Sequence, residues 1–310
     1  MREALGTLDL PPPRTWRDGG ASTDAGWSMP FPPFVASALA AATLPDAERE
    51  RLSRLHFHDE GHGYDAFGLH PDFVALGNSV GWKLYKRYFR VKSYHPERIP
   101  RTGPAILAGN HSGNLPIDGM MLWMDVLNQT EPPRVARPIA DHFVSTLPFV
   151  SAFFARVGVV GGSRGNARKL LEGGDLLMIF PEGTPGIVKP WAERYQLRRF
   201  RQGHAELAIR HRAPIVPVGF VGGEEQLPQL ASSRRLGRLL DIPAMPIPAV
   251  PFPLPVRYHI HYGEPIHVER EFAPEQADDP EVVESVARRV QAAVQALVDE
   301  GLKQRKGVFT

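Results

Sequence analysis

The chain has 310 residues, 43% hydrophobic and 23% charged, enough for a sizeable core in one large domain with extensions or in two small ones. It contains no cysteine, which excludes disulfides, thiolate metal sites and a cysteinyl acyl-enzyme, and fits a reducing compartment. A formal net charge of +2 is too small to point to nucleic acid.

Residues 1–33 read as an irregular arm with no apolar core behind the first charges, so no signal peptide is expected. Prolines at 30, 32 and 33 leave only Phe34 to Leu44 as continuous helix, short of the about 20 apolar residues that span a bilayer. Helices are predicted at 34–55 and 71–90. In the second, Phe73, Leu76, Val80, Leu84, Tyr85 and Tyr88 fall at helical spacing, with Lys83, Lys86 and Arg87 opposite. From 104 onward strands are predicted at 105–109, 134–140, 157–160, 175–180, 213–221 and 256–263. Helices are predicted between and after them, at 116–128, 145–156, 165–172, 203–212 and 280–303. This alternation gives an α/β fold: a mostly parallel sheet covered by helices, with an N-terminal helical extension. The expected division is 1–94, an arm and helices suited to a membrane surface, and 95–310, the α/β unit. The uncharged stretch 242–256, with a proline every two or three residues, reads as an extended loop that packs over the core or faces lipid.

Where the first of these strands ends, the sequence reads LAGNHSGNLPIDGM, residues 107–120. A strand ending at Gly109 puts Asn110 and His111 at a carboxyl edge, where open α/β sheets place their sites. Pro116 and Asp118 both suit the first turn of a helix. A turn between them can bring the Asp118 carboxylate onto one imidazole nitrogen of His111, leaving the other to take a proton from a hydroxyl. Equally, Asp118 supports a helix start and His111 is a polar turn residue. A second strand runs into Pro-Glu-Gly-Thr-Pro-Gly at 181–186, where a carboxylate and backbone amides can hold hydroxyls or a phosphate.

Together, N-H-S-G-N-L-P-I-D at 110–118, G-V-V-G-G-S-R at 158–164, F-P-E-G-T at 180–184 and I-V-P-V at 215–218 resemble the blocks of the PlsC-like glycerolipid acyltransferases, in the family's order. The resemblance covers about 95–270. It implies direct transfer of an acyl group from acyl-CoA or acyl-carrier protein to a hydroxyl of a glycerolipid or lysophospholipid, with no metal or other cofactor. By the same resemblance His111 is the general base and Asp118 orients it. Glu182, Gly183 and Thr184 position the acceptor with Asn110 and Ser112, and Arg164 contacts a phosphate. Two departures stand out. The family's commonest spacing is H-x-x-x-x-D, whereas six residues separate His111 from Asp118, as in relatives reading N-H-S-G-x-L-P-x-D. Gly161-Gly162 stands where bulky apolar residues are common.

Other features compete with this reading. G-N-S-V-G at 77–81 matches the nucleophile elbow of serine esterases, but the 72 residues before Phe73 lack the strands that an elbow requires. The histidine-rich H-F-H-D-E-G-H-G-Y-D at 56–65 matches no metal-binding spacing and reads as a solvated linker. A lipid-binding protein without turnover would need the same pocket. Between 185 and 240, ten Lys/Arg face four Glu, either a solvated face or an attraction for anionic headgroups or CoA phosphates. With a lipid acceptor implied, the expected location is cytoplasmic, on the inner face of the membrane, anchored by this basic stretch and by Phe31 to Leu44.

Overall fold

The computed structural model describes residues 32–112, 117–140, 150–187, 189–233 and 245–310. Two short helices open it, α1 (Pro33–Thr43) and α2 (Asp46–Leu52). The single helix predicted over 34–55 is therefore split. Pro45 cannot donate to the preceding turn, and it holds Leu44 extended at φ −97° and ψ 139°. Helix α3 (Pro71–Lys83) runs into a wider π-turn at Leu84–Tyr88, and Arg90, at φ 45°, ends the segment.

The sheet follows with β1 (Lys92–Tyr94), β2 (Ala105–Gly109), α4 (Ile117–Gln129), β3 (Ala136–Ala140), α5 (Val150–Arg156) and β4 (Val160–Gly161). Next come α6 (Arg164–Glu172), β5 (Leu176–Ile179), α7 (Thr184–Ile187), α8 (Gly203–Arg210), β6 (Ile215–Val221) and α9 (Gly223–Gln226). The chain closes with β7 (Gln229–Ser233), β8 (Met245–Pro248), β9 (His259–Tyr262), α10 (Val268–Glu271) and α11 (Pro280–Gln304). The main sheet has the order β1-β9-β6-β2-β5-β3-β4, and every neighbouring pair is parallel except β6 with β9.

Period-2 alternation explains how this sheet is covered on both faces. In β2 and β5, Ala105, Leu107, Leu176 and Met178 join one core, with residues of α1, α3 and α4. Their neighbours Ile106, Ala108 and Leu177 join a second, with residues of α6, α8 and α11. Pro217 is tolerated inside β6. Ile215 N–H reaches Ile266, so the nitrogen two residues on faces the same irregular connection rather than a strand partner.

Several expectations change. β1 was not anticipated: Lys-Ser-Tyr has no apolar alternation, yet it pairs with β9, so the 94/95 boundary falls at the end of a strand of the main sheet. The strand at 157–160 is only Val160–Gly161, because Gly158 at φ +98° interrupts it. At Gly162 the departure has a steric cause, since a Cβ there would sit 2.8 Å from the Ala140 carbonyl oxygen, whereas one on Gly161 would meet nothing closer than 3.9 Å. Part of the proline-rich stretch, β8, pairs with β7 in a separate two-stranded sheet, where prolines cost no central ladder bond. Residues 1–31, 145–149 and the basic residues 234, 235 and 238 lie outside the described residues.

Candidate active site

Three parallel strands deliver the site residues at their carboxyl ends: β2 gives Asn110 to Ser112, β5 gives Glu182, and β6 leads to Glu224. Asn110 makes the exit of β2 possible. Its amide donates to Phe220 O at 3.2 Å and its carbonyl accepts Phe220 N–H at 2.7 Å, so one buried side chain extends the β2–β6 ladder after the backbone has left it. Both ends of that side chain are occupied by β6. Gly109 is needed just before it, since a Cβ there would lie 2.8 Å from the Phe220 ring.

His111 then turns out of the sheet. Its Nδ1–H donates to Asp118 Oδ2 at 2.6 Å, so the seven-position step in the sequence closes into one ion-pair-capable contact. Asp118 is fully buried at the start of α4 and also accepts Ser112 N–H and Gly119 N–H, each at 2.7 Å. These two backbone donors fix the carboxylate. The carboxylate fixes the imidazole with the proton on Nδ1, which leaves the Nε2 lone pair as an acceptor. Among the described residues nothing bonds to Nε2, and the side chain is 19% exposed. Phe180 stacks on the ring, 4.5 Å between centroids and 17° between planes, and limits its rotation. Burial acts most strongly on the imidazole and lowers its proton affinity. The Asp118 charge and hydrogen bond, with Glu182, outweigh that and Lys189, so the His111 pKa lies above its ordinary 6.5.

Glu182 does not face outward as a simple substrate ligand would. Its Oε1 accepts His111 N–H at 3.0 Å and its Oε2 accepts Arg198 N–H at 2.7 Å. Gly183 adopts φ +60°, and the Arg201 guanidinium lies where a Cβ would be, 2.9 Å from that position. Thr184 is the first residue of α7. Ser112 is buried against Gly223, leaving no room for a side chain there. Arg164 opens α6, is 84% exposed and pairs with Glu206 of α8 at 3.2 Å. No contact among the described residues ties it to His111.

Sequence reasoning missed Phe180, Lys189 and Glu224. Phe180 had a signal, an aromatic side chain beside the Pro-Glu-Gly turn; Lys189 had none beyond being a lone charge in apolar text, and Glu224 is one of two adjacent glutamates with nothing to set it apart. The competing motifs resolve structurally. Ser79 lies inside α3 and donates to the Thr43 hydroxyl of α1, with no strand before it among the described residues. In the histidine-rich stretch Asp59 Oδ1 accepts the backbone N–H groups of Gly61, His62 and Gly63, and His58 meets Gly173 O.

A family model described as Acyltransferase matches residues 90–221. An uncharacterized protein of Mycobacterium tuberculosis is 35% identical over 303 residues, which is 94% of this chain and 82% of that protein. The human DGAT1/2-independent enzyme synthesizing storage lipids is 28% identical over 205 residues, 66% of this chain and 59% of that one. The crystal structure of the 1-acyl-sn-glycerophosphate acyltransferase PlsC from Thermotoga maritima matches with a TM-score of 0.53, over 88% of this chain and 90% of that chain, at 18% identity. At that identity the structural likeness speaks for the fold alone.

Proposed function

The chain belongs to the PlsC-like glycerolipid acyltransferase family, and from that premise we propose that it transfers a fatty acyl group from acyl-CoA or acyl-carrier protein to a hydroxyl of a glycerolipid or lysophospholipid, with His111 as general base. The observation that carries this reading is the His111 Nδ1–Asp118 contact of 2.6 Å at the carboxyl end of the central strand, with no partner for Nε2 among the described residues. In this mechanism Nε2 takes the proton of the acceptor hydroxyl as its oxygen attacks the thioester carbonyl. The tetrahedral intermediate collapses, the carbon–sulfur bond breaks, and the imidazolium returns the proton to the departing thiolate. An ester and a free thiol result, and no group on the protein is acylated. Base catalysis of this kind is worth about 10²–10⁴-fold, and amides that hold the oxyanion contribute at least as much.

The membrane is the natural source of the acceptor, and one face of the molecule supports a peripheral location at the inner surface. Residues 73–95 hold five Lys/Arg and no acid. Val80, Trp82, Leu84 and Tyr88 are exposed on the same segment. Tyr88 donates to Pro253 O at 2.6 Å, which sets the 76% exposed Phe252 beside them, and Arg90 donates to Pro255 O and Phe309 O. The basic stretch after 185 supports this location less. Of its described cations, Lys189, Arg198, Arg199 and Arg210 are paired with carboxylates. No helix among the described residues is long and apolar enough to cross a membrane.

The direct test is release of free thiol and formation of acylated lipid when the protein meets labelled acyl-CoA or acyl-carrier protein with lysophosphatidate or monoacylglycerol. Product that survives Ser79→Ala and is lost with His111→Ala fits the reading. Fluorophosphonate labelling of Ser79, with turnover intact in His111→Ala, would overturn it in favour of a serine esterase.

A further inference from the structure

Lys189 lies seven residues beyond Glu182, after α7 has reversed the chain through a Gly186 N–H to Gly183 O bond of 2.9 Å. Its side chain is 2% exposed. The ammonium donates to Glu224 Oε1 at 2.9 Å and to Gln196 O at 3.3 Å, and stands 3.5 Å from Glu182 Oε2. A buried lysine needs such partners, because a charge out of water must be paired and hydrogen-bonded. What distinguishes this one is the other duty of its carboxylate, since Glu182 also carries the backbone N–H of His111. We propose that Lys189 is a positioning residue of this site: its ammonium, braced by Glu224, locks the Glu182 carboxylate across His111 N–H and Arg198 N–H and so sets where the imidazole stands.

The geometry favours this over a role in folding alone. Glu182 has one oxygen on each of two chain segments, and backbone donors by themselves leave the carboxylate free to tilt between them. A third, charged contact at Oε2 removes that freedom. Gly186 completes the packing, since a Cβ there would be 2.8 Å from Glu182 Cβ and 3.1 Å from His111 Cβ. Lys189 and Glu224 also border a cleft lined by Gly186, Ile187, Trp191 and Leu227, so the clamp lies at the rim of open space and not in the middle of a core.

Charge gives the clamp a second signature. The groups acting on the imidazole are Asp118 from α4, Glu182 at the end of β5, and Lys189, the one that opposes protonation by its charge. Glu182, Glu224 and Lys189 together leave one negative charge, whereas losing the ammonium alone leaves two. Burial already pushes the Glu224 carboxyl upward, with Lys189 acting against it.

The proposal rests on the acyltransferase reading only for its kinetic readout. Lys189→Met keeps the bulk and deletes the charge. It should lower kcat about 10²-fold, as a small misplacement of a reacting group does, with KM for both substrates within about twofold and the acid limb of kcat/KM displaced to higher pH. Lys189→Met with Glu224→Gln restores the single negative charge. It should return the acid limb and the melting temperature toward the parent values while kcat stays low, because Glu182 still lacks its third contact. It also serves if the single variant does not fold. Full kcat in either variant would overturn the proposal. Imidazole titration by NMR, with the His111 signal assigned by its loss in His111→Ala, separates the two claims. If the parent protein turns nothing over, the acyltransferase reading fails. A His111 titration unmoved in Lys189→Met sinks the clamp whatever the activity.

Discussion

The imidazole of His111 is held by one carboxylate, and that fixes how the site should respond to pH and to mutation. In the general-base role proposed for His111 the neutral form does the work, so kcat/KM should rise with pH through a midpoint above 6.5 and level off beyond it. His111→Ala should remove the whole base contribution, about 10³-fold or more, with little change in melting temperature, since the ring is partly exposed. Asp118→Asn should cost less, about 10²-fold, because it perturbs tautomer and orientation without deleting the base. Its acid limb should move to lower pH, since burial and Lys189 are then opposed by Glu182 alone. A limb that stays in place in Asp118→Asn would mean that the measured pH dependence belongs to another group. Gly186→Ala probes the neighbouring contact. Its Cβ would press on Glu182 and His111 together, so activity should fall about tenfold or more while urea unfolding stays within about 1 kcal/mol of the parent. The residues of this site divide by what a sequence can reveal. His111, Asp118 and Glu182 stand out because strand ends interrupt apolar text with polar side chains. Lys189 and Glu224 do not, because the burial that makes their charges significant arises only when segments 35 residues apart close on one another.

At the scale of elements, Asn110 is the join on which the site hangs. A strand that ends leaves the N–H and C=O of its neighbour without partners, and here one amide side chain satisfies both groups of Phe220. Asn110→Ala should orphan two buried backbone groups and destabilise the fold by about 2–3 kcal/mol, measured by denaturant unfolding. A loss below about 0.5 kcal/mol would show that β2 and β6 hold without the clasp. The core strands β2, β5 and β6 were legible because both of their faces are covered, which forces continuous apolar runs on the sequence. β1 and β7 were not: a short edge strand needs no apolar alternation, so Lys-Ser-Tyr looks like a loop until β9 lies beside it. The break at Pro45 was readable from proline chemistry, yet the helical text on either side of it obscured the gap.

The whole molecule presents its charge unevenly, and this bears on where it finds its acceptor. The net charge of +2 is small, but residues 73–95 contribute five cations without an acid. Each basic side chain near an anionic surface is worth about 1 kcal/mol, and exposed aromatic and aliphatic groups add burial in the headgroup region. Lys86 lies over the Trp82 and Tyr85 rings at 5.2 and 5.1 Å, so charge and apolar surface occupy one patch. The protein should therefore sediment with vesicles of phosphatidylglycerol in phosphatidylcholine and not with phosphatidylcholine alone. Binding should weaken steeply as salt is raised, because the Debye length shortens to about 3 Å at 1 M. Val80→Glu with Phe252→Glu should reduce vesicle binding at least tenfold. Both side chains point to solvent, so turnover of short-chain, water-soluble substrates should stay near the parent value. Retained vesicle binding in the double variant would exclude this face and return attention to residues 1–31 and 234–244. A salt-insensitive interaction would show that the cations take no part.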